Sequence, residues 1–287
     1  MELRHILAGA DESGAGRDAV GWALSLATRA SARVTVLRTV MSNSVPSRTS
    51  AMAGGGPPGE DTETREIVRL QRWLGPDLQM RNPVPPVDFQ IGFGIPGIEI
   101  CRYAEQAAVD LIVLGRKHRT QSARLLVGDT VDAVARRSRL PCLFVPPGDC
   151  EVGSLLVGLD GTERGMIVLR QACDFARKIG ATLRIITVEQ APPGEPTHLA
   201  AAIPVARTES LDVKAREIVG RIGLTLADFL VRRGDVVPCV LGALDHGRSE
   251  VLVIGCHRGG PPGILEAGSN ARRLLHMAPC AVMTIPL

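Results

Sequence analysis

The chain has 287 residues, 45% of them hydrophobic and 22% charged, and a net charge of +3. This composition excludes a disordered chain, and the length suits two domains that each bury a core. Lysine and arginine are spread along the chain without a run that reads as a nucleic-acid arm, and neither a membrane span nor a cleaved leader is apparent, so a cytoplasmic protein with no nucleic-acid or membrane partner is expected. Seven cysteines without a C-x-x-C pair read as reduced core thiols.

In chain order, a strand is expected from Leu3 to Gly9, a helix from Gly14 to Ala30 and a strand from Arg33 to Val40. A helix from Asp61 to Leu74 and a strand from Val87 to Ile91 follow, then a helix from Gly97 to Ala108 and a strand from Leu111 to Gly115. The first copy closes with a helix from Gly128 to Arg137 and a strand from Leu143 to Val145. The same order returns: strands Leu155 to Leu159, Thr182 to Val188, Leu224 to Val231, Val251 to Gly255 and Ala281 to Ile285 alternate with helices Glu163 to Ile179, Arg207 to Ile222, Val236 to His246 and Gly268 to Met277. Runs of Val, Ile and Leu mark strands buried on both faces, and the helices between them supply the crossovers that parallel strands require. The fold class expected is α/β: two tandem doubly wound five-stranded parallel sheets, Rossmann-like, over residues 1–148 and 153–287. The joint, Cys150 to Gly153, is short enough that the halves should pack as a pseudo-dimer. Met41 to Glu60 and Gln190 to Pro204 escape the pattern and read as surface loops, with a lid or partner-docking role as the alternative.

The repetition is literal. Leu7-Ala-Gly-Ala-Asp11-Glu-Ser13 recurs as Leu156-Val-Gly-Leu-Asp160-Gly-Thr162, an offset of 149, while Asp88, Gly94, Gly115, Gly128 and Pro146 recur 140 positions on as Asp228, Gly234, Gly255, Gly268 and Pro286. A constant offset leaves no room for insertions after Asp88.

Ligands of open parallel sheets sit beyond the carboxyl ends of the strands, where the topology switches direction. At those ends stand Asp11, Val40 and Gly115 in the first half and Asp160, Val188 and Gly255 in the second. Each glycine opens a loop closing on Gly128 or Gly268 at a helix start. Glycines let backbone N–H groups approach a phosphate, and a helix N-terminus offers unpaired donors and partial positive charge.

On these residues the chain resembles a tandem universal stress protein. That family has about five parallel strands per domain and an aspartate after the first, and its nucleotide-binding members carry G-x-x-G, nine residues, then G-S or G-T. The outer glycine spacing and the closing strand Pro141 to Pro146 match. The resemblance implies a stress-responsive regulatory or interaction protein whose cofactor would be ATP or another adenine nucleotide, with Mg as a companion. It also implies pairing of the last strands, here within one chain, with a homodimer as a further option and the protein partner unknown.

The departures are unequal. His118 replaces the second family glycine and Asp129 the hydroxyl residue after Gly128. A carboxylate about 4 Å from a phosphate costs roughly 1–4 kcal/mol, tenfold or more in affinity. In the second half Arg258 replaces the second glycine, but Gly268-Ser269 is intact, making Asp160, Val188, Gly255, Arg258, Gly268 and Ser269 the better nucleotide set. Asp11, Val40, Gly115 and Gly128 form the weaker one. Asp11 and Asp160 equally suit helix caps ahead of Ser13 and Thr162. The basic stretch from Arg116 to Arg119 reads as solvated surface or as an anion contact, and Cys256-His257 as a bystander rather than half of a metal site. No Ser-His-Asp arrangement or P-loop is present, so no enzyme is expected. A nucleotide-hydrolysing or nucleotidyl-transferring enzyme and a ligand-free structural module remain the alternatives.

Overall fold

The computed structural model describes residues 1–41, 60–116, 129–148, 152–189, 205–245, 250–256 and 270–287. The first half runs β1 (His5–Ala10), α1 (Gly14–Ala30), β2 (Arg33–Val40), α2 (Glu60–Gln79), β3 (Val87–Phe93), α3 (Pro96–Gln106), β4 (Leu111–Gly115), α4 (Asp129–Arg137) and β5 (Cys142–Val145). The second repeats it as β6 (Ser154–Leu159), α5 (Glu163–Ile179), β7 (Thr182–Glu189), α6 (Val205–Arg221), β8 (Leu226–Arg233), α7 (Val236–Ala243), β9 (Glu250–Cys256), α8 (Asn270–Met277) and β10 (Ala281–Pro286).

The two five-stranded arrays are hydrogen-bonded into one ten-stranded sheet, ordered β3-β2-β1-β4-β5-β10-β9-β6-β7-β8. Every strand pair is parallel except β5 with β10. The topology switches between β1 and β4, and again between β6 and β9. The central strands β1, β4, β5, β9 and β10 are almost continuously buried because helices cover both faces. One core, including Trp22, Leu24, Leu70 and Phe175, lies under α1, α2, α5 and α6; the other, including Ile100, Val134, Val240 and Leu274, lies under α3, α4, α7 and α8.

Local signals explain most boundaries. Ser13 and Thr162 N-cap α1 and α5 by accepting from the Gly16 and Gly165 amides, and both helices end on a left-handed residue, Ser31 or Gly180. The helix expected to stop at Leu74 instead continues through Pro76 to Gln79. Proline removes one helical donor, but Leu78 beyond it packs on the same core as the fully buried Leu70 and Leu74.

The seam is a short antiparallel ladder in which Cys142, Leu143 and Phe144 face Thr284, Met283 and Val282. Leu143 and Met283 occupy equivalent positions in the two copies, so the pseudo-two-fold axis passes through that pair. Around it, the Arg29 guanidinium donates to the Val152 carbonyl at 2.7 Å, the Trp22 indole donates to the Gly148 carbonyl at 3.3 Å, and the terminal ammonium of Met1 pairs with Asp174.

Arg116 departs from the sequence expectation. It is a seam residue rather than part of a solvated basic surface: it donates to the carbonyls of Leu275 (2.7 Å), Ala278 (3.1 Å) and Cys280, across the axis. Burial pushes its pKa down to about 10, so it stays charged at neutral pH, and the carbonyl end of α8 supplies the compensating partial negative charge. Its counterpart 140 positions on is Cys256, so this clamp is built once. Arg116→Ala is expected to lower unfolding free energy by about 2–3 kcal/mol, because three carbonyls lose a charged donor. Arg116→Lys should recover part of that loss. Chemical denaturation checks this, and an unchanged midpoint for the alanine variant would show that the clamp carries no stability.

Candidate functional site

The turn after β6 is built by its own side chains. Asp160 Oδ1 accepts from the Thr162 amide at 3.0 Å and the Thr162 hydroxyl at 2.8 Å, and that hydroxyl accepts from the Gly165 amide at 3.1 Å. Glycine is required at 165, since a Cβ there would lie 2.6 Å from Asp160 Oδ1. Asp11, Ser13 and Gly16 repeat the arrangement after β1. Both aspartates are thus part of a helix cap. At Asp160 the cap engages Oδ1, and among the described residues nothing donates to Oδ2.

A cleft of about 1330 Å³ opens at the carboxyl end of the second half's strands, and Asp160, Val188 and Gly255 all line it. Its inner wall is apolar: Met166 and Val168 from α5, Ile186 from β7, Val240 from α7, Ile254 from β9 and Leu274 from α8. Thr162, Thr187, Lys214 and Arg272 bring polar and cationic groups to it. The cleft spans the β6–β9 switch and takes side chains from both helix layers. It also includes Asp132, Ala135 and Arg136 of α4, a first-half helix.

At the corresponding positions of the first half stands an ion-pair network. It joins Glu12, Arg38, Glu66 and Arg69: Arg38 reaches Glu12 and Glu66 at 2.9 Å each, and Arg69 reaches Glu12 at 2.7 Å. Arg38, Glu12 and Glu66 are only 16%, 19% and 21% exposed. Strand register makes Gly161 and Thr187 the counterparts of Glu12 and Arg38, since Ala10 pairs with Arg38 as Leu159 pairs with Thr187. For the helices, the buried Leu70 and Leu74 match Ala215 and Val219, which makes Leu211 and Lys214 the counterparts of Glu66 and Arg69. All four counterparts line the open cleft. Two carboxylates and a guanidinium of one copy thus correspond to glycine, threonine and leucine in the other, where these positions border the cleft. Glu12 holds a left-handed backbone, φ 58°, where its counterpart is Gly161 at 74°. That conformation disfavours residues other than glycine, and the network supplies compensating contacts.

The switch points differ in the same sense. A Cβ on Gly115 would run into the Ala15 carbonyl, so the first turn of α1 closes against the end of β4. On Gly255 it would instead meet side chains, Leu287 at 2.7 Å and Val168 at 3.0 Å.

Among the expected site residues, Asp160, Val188 and Gly255 come together, whereas Arg258, Gly268, Ser269 and Gly128 lie outside the described residues, as do Lys117, His118, Arg119 and His257. Val40 and Val188 both stand at strand-two ends but are not equivalent positions. Strand register puts Val40 opposite Phe93 and Glu189 opposite Arg233, so the counterpart of Val40 is Glu189, and that of Val188 is Thr39. The cysteines are free thiols where described, and burial pushes Cys256, in the cleft wall, up to about 11 and Cys173 to about 12. Neither is an appreciable thiolate at neutral pH. No group of three His, Cys, Asp or Glu able to hold a metal occurs among the described residues. None of their helices is long and apolar enough to cross a membrane.

Glu12→Gln keeps the shape of the network and removes its central charge. It is expected to cost about 1–3 kcal/mol, with Glu12→Gln/Arg38→Gln costing less than the sum of its single substitutions. Strictly additive losses in denaturation would mean that these groups do not act as a unit.

Comparisons with known proteins agree with this architecture. The model of the universal stress protein family matches residues 2–146 and again 152–286. A universal stress protein of Mycobacterium tuberculosis is 24% identical over 196 residues, 63% of this chain and 66% of the relative, just under two thirds of its length. The crystal structure of a universal stress protein from Archaeoglobus fulgidus covers 100% of this chain and 99% of its own at TM-score 0.73 and 16% identity. A functionally unknown Pseudomonas aeruginosa protein covers 99% and 92% at TM-score 0.59 and 15% identity. At such identities the structural likenesses speak to the fold alone; the doubled family match covers nearly the whole sequence, and the chain belongs to the universal stress protein family as a tandem of two family domains.

Proposed function

We propose that this protein is a regulatory or interaction module that binds an adenine nucleotide, ATP with Mg being the first candidate, in the second of two units spanning 1–148 and 153–287. The observation that carries this reading is the contrast at equivalent positions: an open cleft framed by Gly161, Thr187 and Leu211, against an ion-pair network of Glu12, Arg38 and Glu66 in the first half. The cleft lies at a topological switch, where open α/β sheets take their ligands, and is large enough for a nucleotide. Its apolar wall suits a purine ring. The Asp160 carboxylate is within the reach of a ribose hydroxyl or an adenine amine placed in the cleft, and the start of α8 gives a phosphate-binding end. Ser269, immediately before that helix, retains the small hydroxyl residue that Asp129 replaces in the first half.

Calorimetric titration with ATP and magnesium should give one site per chain, lost in Ser269→Asp. Transplanting the first-half network through Gly161→Glu, Thr187→Arg and Leu211→Glu should abolish binding while leaving a cooperative unfolding transition. No heat up to millimolar ATP overturns the reading. Two equivalent sites would contradict the assignment to the second half, and phosphate release that depends on Asp160 would favour a hydrolase.

A further inference from the structure

The second half's cleft has a wall that belongs to the first half. Asp132, Ala135 and Arg136 fall on one face of α4, at i, i+3 and i+4, and all three line the cleft. Asp132 pairs with Arg272 at 3.3 Å and with His276 at 3.4 Å, both on α8. Asp132 and Arg272 are 140 positions apart and so occupy the same place in the two copies. In a pair of identical domains this position faces itself and would set like charges together; here it has diverged into an ion pair across the axis. Arg136, one turn further along α4, makes no ion pair among the described residues.

The charges of the cleft come from two sets of elements. Asp160, Glu163, Glu189 and Lys214 come from β6, α5, β7 and α6, whereas Arg136, Arg272 and Asp132 come from α4 and α8. Among the described lining residues, four carboxylates stand beside three cations. A polyanion is best accepted where cations are gathered, and among the described lining residues the two guanidiniums, Arg136 and Arg272, come from α4 and from the first turn of α8.

We propose that the cleft is a composite site: Arg136 of the first half supplies a cation to the phosphate end of a nucleotide held by the second, and Asp132 sets how much of the Arg272 charge that ligand meets. This rests on the nucleotide reading above and assigns the first half a part in it. The first half, which carries the ion-pair network at its own equivalent positions, acts as a specificity element for its sister.

Titrations with ATP and with uncharged adenosine test the proposal on the full chain. Arg136→Ala should weaken ATP binding about tenfold while adenosine affinity stays the same, and Arg136→Lys should recover part of the loss. Asp132→Asn, which removes a carboxylate beside Arg272, should tighten ATP binding about threefold. Opposite changes from two substitutions on one helix of the other domain follow from charge and not from loosened packing; melting temperatures verify that each variant is folded. ATP affinity unmoved in both variants, with Ser269→Asp still abolishing it, overturns the composite site and leaves the nucleotide reading standing. Equal losses of ATP and adenosine in Arg136→Ala also overturn it. No ATP binding by the unaltered protein overturns both.

Discussion

The antiparallel ladder between β5 and β10 is the constraint on which the rest of the molecule depends. It is only a few residues long, yet it joins two parallel arrays into one sheet and fixes the pseudo-two-fold axis at Leu143 and Met283. Positions near that axis face their own counterparts, so a duplicated sequence would place like against like there. The chain departs from symmetry at these positions. Asp132 faces Arg272, and Arg116, whose counterpart is Cys256, clamps the carbonyl end of α8. Each change works only between different copies, so divergence at the seam also tells the two halves apart.

The same divergence recurs at the carboxyl ends of the strands. Parallel α/β sheets leave a crevice at the switch point as a consequence of topology, and two copies start with two crevices. Glu12, Arg38, Glu66 and Arg69 place a partly buried ion-pair network in one, and Gly161, Thr187, Leu211 and Lys214 border the open cleft of the other. An internal carboxylate held between arginines stands where the sister domain has room for a ligand. The seam then brings α4 of the first half to the open cleft of the second. The network in the first crevice and the wall lent to the second are parts of one division of labour.

Much of this was legible in the sequence because it rests on periodicity and repetition. The Val and Ile runs marked the buried strands, the fixed offset marked the duplication, and Asp11 and Asp160 with their hydroxyl neighbours marked the caps that the structure contains. What escaped depends on distance in the chain. Glu12 meets Arg38 and Arg69 only because β1, β2 and α2 are packed together, although the exchange of Glu12 for Gly161 was visible in the aligned copies. Arg116 looked like the start of a basic surface because nothing local signals that carbonyls from the other half surround it. The continuation of α2 past Pro76 needed the knowledge that Leu78 has a core to meet, and the one-residue offset between Val40 and Val188 is fixed by strand register.

Duplication followed by divergence would leave one open site served by both halves. Hydrogen–deuterium exchange of the full chain with and without ATP and magnesium tests it most directly, since it reports every crevice in one measurement. Slowed exchange is expected in the second half around Gly158 to Gly165 and Ile186 to Glu189, at the start of α8 and on α4, with no change around Asp11 to Gly16. Equal protection of the two aspartate turns, or protection that leaves α4 untouched, would contradict it.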